Sequence, residues 1–595
     1  MANPAPEVPA SDLAASELLA SDVAATGVGA SASDPPGWSR RQALQWGLLS
    51  AGGLLLPRAA CAAEPSGGGC TPHGHATPVG PPVPTRTSPQ IPRFEQPFRR
   101  LEALAPERVG SDLDGYTLTI ARSPVEILPG RTTQAWTYNG SLPGPLIRQR
   151  KGRASVVRFI NQLQDPSAGQ IATSIHLHGM ASLPQYDGYA EDLIPFNHYK
   201  DYYYPNNKGG PFWYHDHAIG QTSRNVYMGL AGLYIVDYDA EDFADPTAAE
   251  LLPQGEFDIP MVIQDKRLDG DGSLVFNDRQ QRGLYGDVLL INGVPWPRLV
   301  VKDRPYRFRI LNGGTSRVLQ LGLQAIVDGR PQPLPLLVVA SDSGLLPQAV
   351  PCRSLRMGVA ERYEVIVDFR GLAGKEVFLI NPIQAGNLDG DLRSTSLLCF
   401  QVEKGPAERI PLPDRLGVLT PIATLLAEAR ASGAPVRTFR FDRLGSQWVI
   451  NNKVWDPNRV DAQLKPCATE IWRFENPGGG WVHPVHVHLG HFRLLSRDGS
   501  PPPVWEAGMK DTFYVGDFQK LEIIGRFGPH EGKYMIHCHN LVHEDHDMMT
   551  QFQIGTNGCD PCAAPARPLP APAAFDAPRC LPGPECSLPP EGRAV

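Results

Sequence analysis

Short apolar runs, each ended by glycine, proline, asparagine or aspartate, recur along most of this chain. GLYIVDYD from Gly232 and RYEVIVDFRG from Arg362 are typical, with a few apolar residues between turn-forming ones. Runs of this length with these boundaries predict β-strands rather than helices. Glycine and proline are abundant, at 59 and 60 residues, which agrees with many turns. We therefore expect an all-β protein.

One segment has the pattern of a helix instead. TPIATLLAEARASG offers Thr420 as an N-cap, Pro421 as a first helical residue and Gly433 as a stop. Each residue type is favoured at that position, because it satisfies or tolerates the backbone geometry found there. We place this helix in a linker, residues 411–435, between two β domains.

A longer pattern occurs three times, in which a turn asparagine is followed by proline, a β-rich run and a closing asparagine. The copies are Thr137–Asn161, Leu290–Asn312 and Val449–Asn476. Recurrence at intervals of roughly 150 residues indicates consecutive copies of one domain type. We place the three domains at residues 93–245, 250–410 and 436–556.

Length and composition agree with several soluble domains. The 595 residues exceed what one hydrophobic core normally holds. Apolar residues make up 42% and charged residues 20%, as in globular proteins. The formal net charge is −7, and no lysine- and arginine-rich block is present. A nucleic-acid partner is therefore not expected.

The N-terminus has the pattern of an export signal. Arg40 and Arg41 precede an apolar run from Trp46 to Leu56, and small residues follow. This order is typical of a twin-arginine signal peptide, and the run is too short for a stable membrane anchor. We interpret residues 1–62 as leader and signal, and expect a periplasmic or secreted protein.

Proline-rich segments flank the predicted domains, with a linker at residues 63–92 and a tail at 557–595. An oxidising compartment permits disulfide bonds between some of the ten cysteines, but their spacing leaves the pairing open. CDPC from Cys559 could instead be a minor metal site.

Histidines occur in pairs separated by one residue, four times in a chain with only sixteen histidines. Because side chains alternate faces along a strand, each pair offers two imidazoles on one face. Eight imidazoles are enough for a cluster of three copper ions, three on each of two ions and two on the third. The pairs are His176 and His178, His215 and His217, His486 and His488, and His537 and His539.

The same alternation separates a second ligand set. Cys538 lies between His537 and His539 and must point to the opposite face, and His483 is an odd number of residues from His486. His543 and Met548 follow. Two histidines, a thiolate and a weak thioether form the ligand set of a blue-copper electron-transfer site.

Other nearby residues, and zinc as the metal, are weaker candidates for these two sites. Met549 could replace Met548 only if the turn shifted, and His546 lies off the ligand spacing. Zinc fits poorly, because twelve ligands with one thiolate do not divide into tetrahedral sites. An isolated histidine pair is usually solvated, but four pairs with a Cys-His-Met set favour metal binding.

These motifs resemble those of the multicopper oxidases, over essentially all of residues 93–556. The stretches HLHG, YDGYAED, WYHDH and HCHNLVHEDHDMM, with Trp481, are most similar to the bilirubin oxidase and bacterial laccase branches. The resemblance implies three cupredoxin domains, each a Greek-key β-barrel. It places a type 1 copper in the third domain and a trinuclear cluster between the first and third.

The resemblance also assigns residues to four copper ions. It gives His176 and His486 to the type 2 copper. It gives the type 3 pair six ligands: His178, His215, His217, His488, His537 and His539. It gives the type 1 copper His483, Cys538, His543 and Met548.

Two acids occupy positions where these relatives keep carboxylates beside the cluster. Asp187 and Glu544 are therefore candidate catalytic residues, since reduction of O2 to water consumes protons and carboxylates orient ligand imidazoles. Asp187 has an alternative role as a turn residue, because it lies in a Tyr-Asp-Gly turn signal.

The resemblance implies an oxidase that couples four one-electron oxidations of phenolic or tetrapyrrole donors to reduction of O2 to water. Its partners would be a small-molecule donor and O2, and we expect a monomer. A cuprous-ion oxidase remains an alternative, although the nine methionines form no cluster beyond Met548 and Met549. A non-catalytic copper-binding protein of the same fold is a third possibility, although none of the cluster ligands is missing.

Overall fold

The computed structural model describes residues 87–278, 282–382, 396–405, 415–576 and 578. These residues belong to one compact unit, Cys70–Val595. The predicted leader and signal at residues 1–62, most of the linker and the end of the tail lie outside the described residues. The export signal therefore stays a prediction, as do the domain boundaries.

Strands dominate, which confirms the all-β class, and they form three consecutive two-sheet domains. The first domain contains β1 (Arg108–Val109), β2 (Leu113–Glu126), β3 (Thr132–Tyr138), β4 (Gly144–Arg150), β5 (Ala154–Asn161), β6 (Gln164–Asp165), β7 (Gly169–Gln170), β8 (Ile175–His178), β9 (His198–Tyr204), β10 (Gly210–Asp216) and β11 (Ala231–Asp237), with β35 (Arg567–Pro568) from the tail. One of its two large sheets has the order β1-β2-β5-β9-β35, with β3 paired to β2, and the other has the order β4-β11-β10-β8, while β6 and β7 pair only with each other.

The second domain contains β12 (Asp258–Lys266), β13 (Val288–Ile291), β14 (Val294–Pro295), β15 (Arg298–Lys302), β16 (Pro305–Asn312), β17 (Leu319–Val327), β18 (Arg330–Leu334), β19 (Leu336–Ser341), β20 (Gly344–Cys352), β21 (Leu355–Met357), β22 (Arg362–Asp368), β23 (Glu376–Ile380) and β24 (Ser396–Glu403). Its sheets have the orders β14-β13-β12-β16-β22-β19-β20 and β15-β24-β23-β17-β18, with β21 paired to β17.

The third domain contains β25 (Arg437–Leu444), β26 (Gln447–Ile450), β27 (Ala462–Leu464), β28 (Thr469–Glu475), β29 (His483–Val487), β30 (His491–Arg497), β31 (Thr512–Val515), β32 (Lys520–Arg526), β33 (Gly532–Cys538) and β34 (Met549–Ile554). Its sheets have the orders β26-β25-β28-β32-β30 and β27-β34-β33-β29-β31. Short helices along the chain are α1 (Thr222–Met228), α2 (Ala248–Leu251), α3 (Ile422–Ser432) and α4 (Leu541–Asp545), with 3₁₀ turns at Pro184–Tyr186, Ala240–Asp242, Gly255–Phe257 and Val504–Glu506.

The repeated sequence pattern marks the same place in all three domains. Its last strand pairs in parallel with the strand that precedes the pattern: β5 with β2, β16 with β12, and β28 with β25. Its middle strand lies in the other sheet of the domain, where it pairs in parallel with a strand that comes later in the chain: β4 with β11, β15 with β24, and β27 with β34. The chain thus crosses between sheets in the same order three times, which gives three Greek-key sandwiches.

The turn asparagines of the pattern have one shared function. Asn139, Asn292 and Asn451 have φ of 50°, 50° and 52°, in the left-handed region that asparagine tolerates better than most residues. Their side-chain oxygens accept from the backbone N–H groups of Thr119, Val262 and Arg440. Each asparagine therefore ties its turn to the preceding strand.

The closing asparagines fix the loop that follows the pattern. Asn161, Asn312 and Asn476 each accept, through Oδ1, from the N–H group two residues further on. In the third domain, Asn476 Nδ2 also donates to Trp481 O at 2.8 Å. This bond positions the loop that leads into His483.

The predicted helix is present as α3, but its N-cap is Pro421 rather than Thr420. Pro421 has φ −57° and ψ 141°, so its ψ is extended and the helix begins one residue later. Gly433 ends the helix in the left-handed conformation with φ 64°, as predicted. Leu425 and Ala429 pack against Ile524 of the third domain.

The cysteines among the described residues divide into two kinds. Cys352, Cys399 and Cys538 are free and buried. Cys467, Cys559 and Cys562 are disulfide-bonded, so the interpretation of CDPC as a metal site is wrong, since oxidised sulfurs are not thiolate ligands. In the described part of the chain, no helix is both long and apolar enough to cross a bilayer.

Replacing Asn292 with alanine should lower the free energy of unfolding by about 3 kcal/mol. It leaves alanine at positive φ and removes partners of the buried groups Val262 N and Pro260 O. Asn139→Ala is the matched control, with the same φ and the same type of bonds at an exposed turn. Urea unfolding of the copper-free proteins measures both, and equal losses would contradict this explanation.

Candidate metal centres

The four histidine pairs lie at strand ends of the first and third domains. In the first domain, β8 pairs with β10 so that His176 faces His215 across the ladder. In the third domain, β29 pairs with β33 so that His486 faces His537. The second member of each of the last three pairs lies just beyond its strand. Cross-strand neighbours are close in space, so each domain presents four imidazoles as one group.

The two groups form a single cage of eight histidines, each at most 1% exposed. Rings from the two domains stack directly, His178 on His486 at 3.6 Å and His176 on His488 at 3.9 Å between centroids. The cage therefore lies between the first and third domains. It excludes bulk water.

Carbonyl and carboxylate oxygens hold the outer ring nitrogens. His176 Nδ1 donates to Asp187 O at 2.5 Å and His486 Nδ1 to Asp511 O at 2.9 Å. His488 Nδ1 donates to Asp187 Oδ2 at 2.7 Å. Such bonds fix the tautomer, so the inward nitrogen keeps its lone pair.

The inward nitrogens converge closely. His176 Nε2 lies 3.3 Å from His486 Nε2, and His537 Nε2 lies 3.2 Å from His488 Nε2 and 3.3 Å from His217 Nε2. Burial, followed by the neighbouring imidazoles, holds the pKa of His176 well below its ordinary value, so this ring is neutral. Facing lone pairs repel each other unless a cation lies between them, so the cage fits metal ions.

The cage divides into three groups of nitrogens. His176 and His486 form one, and the mutually close nitrogens of His217, His488 and His537 form another. His178, His215 and His539 form the third, with ring centroids 5.1 to 5.8 Å apart. In this third group, His178 Nδ1, His215 Nε2 and both His539 nitrogens have no hydrogen-bond partner among the described residues. Buried unpartnered nitrogens are the donor set expected of a metal site.

A second group lies on the other face of β33. Cys538 Sγ is 3.4 Å from His483 Nδ1 and 3.6 Å from His543 Nδ1, and these nitrogens are 3.3 Å apart. Burial raises the pKa of the Cys538 thiol well above its ordinary value. A bound cation would provide the charge that a buried thiolate requires.

Helix α4 and two indoles hold His543 in place. His543 Nε2 donates to Arg282 O at 2.9 Å, so Nδ1 faces the sulfur with its lone pair. Trp448 stacks on the His543 ring at 3.7 Å between centroids. Trp481, half-buried, lies edge-on at 6.2 Å.

The two methionines that follow α4 point to different places. Met548 is fully buried in the same apolar cluster as Cys538, and its carbonyl accepts from Cys538 N at 3.0 Å. Met549 packs instead with Met535 and Trp455 in another cluster. The structure therefore favours Met548 as the thioether. His546 Nε2 lies 3.9 Å from Asp278 Oδ2.

The candidate acids both contact the cage. One carboxylate oxygen of Asp187, Oδ2, accepts from His488 Nδ1. The other, Oδ1, is buried and has no hydrogen-bond partner in the part of the chain that the structure describes. Glu544 Oε2 lies 2.9 Å from His537 Nδ1, and its Oε1 lies 3.6 Å from His217 Nε2. Burial raises the pKa of Asp187 well above its ordinary value. Asp187 thus has more than the role of a turn residue.

Sequence reasoning missed three residues at the centres. Asp511 Oδ1 accepts from His178 Nε2 at 3.0 Å, and Trp213 stacks on His215 at 4.1 Å. Trp448, on His543, is the third. Trp213 lies two residues before His215, a spacing that could have indicated it. Asp511 and Trp448 come together with the histidines only through tertiary pairing, and no spacing indicates them.

Comparison with known proteins agrees with this geometry. Multicopper oxidase family models match residues 119–241 and 430–558. Bilirubin oxidase of Albifimbria verrucaria is 37% identical over 489 residues, which is 80% of this chain and 82% of that protein. The chain belongs to the multicopper oxidase family.

Other relatives extend the comparison. Laccase of Bacillus subtilis (strain 168) is 31% identical, over 71% of this chain and 90% of that protein. The crystal structure of laccase from Pediococcus acidilactici Pa5930 superposes with a TM-score of 0.69 at 29% identity, over 80% of this chain and 97% of that chain. This multicopper oxidase is therefore an enzyme built from three cupredoxin-like domains.

The family implies copper, and the residues present fit it. A cage of imidazole nitrogens suits copper, and a His₂Cys set beside a buried methionine is the arrangement of blue-copper centres. All twelve candidate ligands are histidine, cysteine or methionine, which can each bind copper.

Proposed function

We propose that this multicopper oxidase takes electrons singly from a small aromatic donor at one centre and uses four of them to reduce O2 to water at the other. The end of β33 carries this proposal, because Cys538 faces His483 and His543 while His537, its neighbour, faces the cage. One peptide unit therefore connects the two centres.

The proposal requires four copper ions. A type 1 ion would be held by His483, Cys538, His543 and Met548, and a type 2 ion by His176 and His486. One type 3 ion would be held by His217, His488 and His537, and the other by His178, His215 and His539. When bound, these ions supply the redox chemistry, accepting single electrons and passing them to O2.

The protein itself provides carboxyl groups for proton transfer in a site that excludes bulk water. Reduction of O2 to two waters consumes four protons as well as four electrons. Asp187, in a turn, and Glu544, on α4, each place a carboxylate oxygen against a cage histidine, and both residues are 3% exposed. A raised pKa, as at Asp187, favours a carboxyl group that holds a proton and can deliver it.

Replacing Cys538 with serine should abolish the blue absorption and donor-dependent O2 uptake while three coppers remain bound. The variant removes the thiolate but leaves the histidine cage intact. Cys399→Ser is the matched control, since Cys399 is equally buried and free but lies in the second domain. Metal analysis and an oxygen electrode provide the measurements. A Cys538→Ser protein that still oxidises donors would overturn the proposal.

Replacing Asp187 with asparagine should keep the blue absorption and slow O2 reduction about 100-fold or more. The amide oxygen can still accept from His488 Nδ1, so the ring keeps its position while the exchangeable proton is lost. Reoxidation of the fully reduced protein by O2, followed by stopped flow, measures the step. Unchanged reoxidation per bound copper would contradict the role.

Two arginines define the rim beside the type 1 centre. Arg443 lies over Trp448 at 4.9 Å, and Arg282, which is exposed, lies over Trp481 at 5.5 Å. Within the described chain, Arg443 forms no ion pair and its buried Nε has no partner. We propose that the donor is an aromatic compound carrying a carboxylate, such as a phenolic acid or a tetrapyrrole acid.

Replacing Arg443 with glutamine should raise KM for 4-hydroxy-3,5-dimethoxybenzoate about tenfold or more, since a charge-assisted bond is lost. KM for the uncharged 2,6-dimethoxyphenol should change little. Arg440→Gln on the same strand is the control, because Arg440 is exposed and already paired with Asp442. Equal changes in KM for both phenols would exclude carboxylate recognition by Arg443. In the wild-type protein, faster oxidation of Cu(I) than of phenols and bilirubin would favour the alternative, a cuprous-ion oxidase.

A further inference from the structure

The second domain contains no histidine, yet one of its side chains binds a residue that contacts the cage. Arg362, at the start of β22, is fully buried and forms a two-pronged ion pair with Asp511 of the third domain. Its Nη1 and Nη2 each lie 2.6 Å from a different oxygen of that carboxylate. Such paired bonds are strong and fix orientation as well as distance.

Every N–H group of this guanidinium has an acceptor. Besides the two bonds to Asp511, Nε donates to Pro211 O at 2.9 Å in the first domain. Nη1 donates to Ala360 O at 3.1 Å and Nη2 to Asp342 O at 2.9 Å, both in the second domain. One side chain therefore joins all three domains, with all five donors used.

Asp511 in turn holds two histidines of the cage. Its Oδ1 accepts from His178 Nε2 at 3.0 Å, and its backbone oxygen accepts from His486 Nδ1 at 2.9 Å. These are the bonds that set which nitrogen of each ring faces inward. His178 belongs to one proposed type 3 triad and His486 to the proposed type 2 pair.

The second domain also supports Asp511 from its other side. Ser343 Oγ donates to Asp511 Oδ2 at 3.0 Å. Asp342 Oδ2 accepts from Thr512 N at 3.2 Å and lies 3.0 Å from Lys510 Nζ. The segment around Asp511 is therefore fixed by main-chain and side-chain bonds to one loop of the second domain.

The backbone after His178 approaches this ion pair closely. Gly179 has φ +93°, and a Cβ there would lie 2.6 Å from Arg362 Nη2 and 2.9 Å from Asp511 Oδ2. Only glycine leaves room for the guanidinium at this place. The backbone that follows His178 therefore packs directly against the ion pair of Arg362 and Asp511.

Stability alone is a weak reason for such a pair. Removing two charges from water costs free energy that their attraction only partly offsets, and apolar replacements are often as stable. A functional role explains better why a fully buried arginine meets a carboxylate that itself contacts two cage histidines.

We infer that Arg362 is a positioning residue through which the second domain, by clamping Asp511, orients His178 and His486 for copper. This inference rests on the proposed function, because it assigns copper to the cage. It gives the second domain a role in the active centre although that domain provides no ligand.

The test compares Arg362→Lys with Arg158→Lys in the copper-loaded full chain. Lysine keeps the charge but cannot form the paired bonds to Asp511. Arg158 forms an equally two-pronged, nearly buried ion pair with Asp201, at 2.7 Å and 2.7 Å, without contact to any cage histidine. The two variants therefore lose the same type of interaction at different places.

Arg362→Lys should retain the blue absorption and KM for the donor. It should change the electron paramagnetic resonance signal of the type 2 copper and hold cage copper about 10- to 100-fold more weakly against a chelator. Arg158→Lys should lose comparable thermal stability but keep the wild-type signal and copper retention. The inference is wrong if the two variants have the same signal and copper retention.

Two further outcomes are informative. If Arg362→Lys does not fold, Ser343→Ala, which removes a single bond to Asp511, should still change the type 2 signal relative to the wild-type protein. An unchanged signal in Ser343→Ala would then refute the inference. A wild-type protein without cage copper or O2 uptake would refute the proposed function itself.

Discussion

The end of strand β33 has to present a thiolate to one side and imidazoles to the other, because neighbouring side chains on a strand point in opposite directions. Cys538 meets His483 and His543 on one face, while His537 meets His217 and His488 on the other. Both centres are therefore built around a single short segment. Their separation is set by backbone geometry, so electrons entering at one centre have a covalent route to the other.

The cage follows from a second constraint, which is the burial of neutral imidazoles with their lone pairs facing each other. Asp187, Asp511 and Glu544 lie against the outer nitrogens, and the two domains that carry the histidines are locked together. Without such partners, rings in a dry cavity would turn to find hydrogen bonds elsewhere. The carboxylates thus orient the imidazoles, and under the proposed function Asp187 and Glu544 would also handle protons.

Much of this could be predicted from the sequence, since alternation with a period of two is enough to separate Cys538 from its neighbouring histidines. The three copies of the asparagine-bounded pattern likewise indicate three similar domains, and the bonds of both asparagines to the backbone explain why the pattern recurs. The N-cap of α3 lies one residue later than the sequence predicts, because Pro421 keeps an extended ψ that the residue type alone does not reveal. Arg362 and Asp511 could not be predicted, because they are distant in sequence from most of the histidines and meet them only where three domains come together. The sequence already favours Met548 over Met549, and the structure supports this preference, since Met548 is buried in the same apolar cluster as Cys538 while Met549 packs in another.

The most direct test of two centres on one strand is anomalous diffraction from crystals of the copper-loaded protein at the copper absorption edge. Two centres of the proposed kind predict four peaks, one among His483, Cys538 and His543 and three inside the cage of eight histidines. Fewer than three peaks in the cage, or none beside Cys538, would contradict this arrangement.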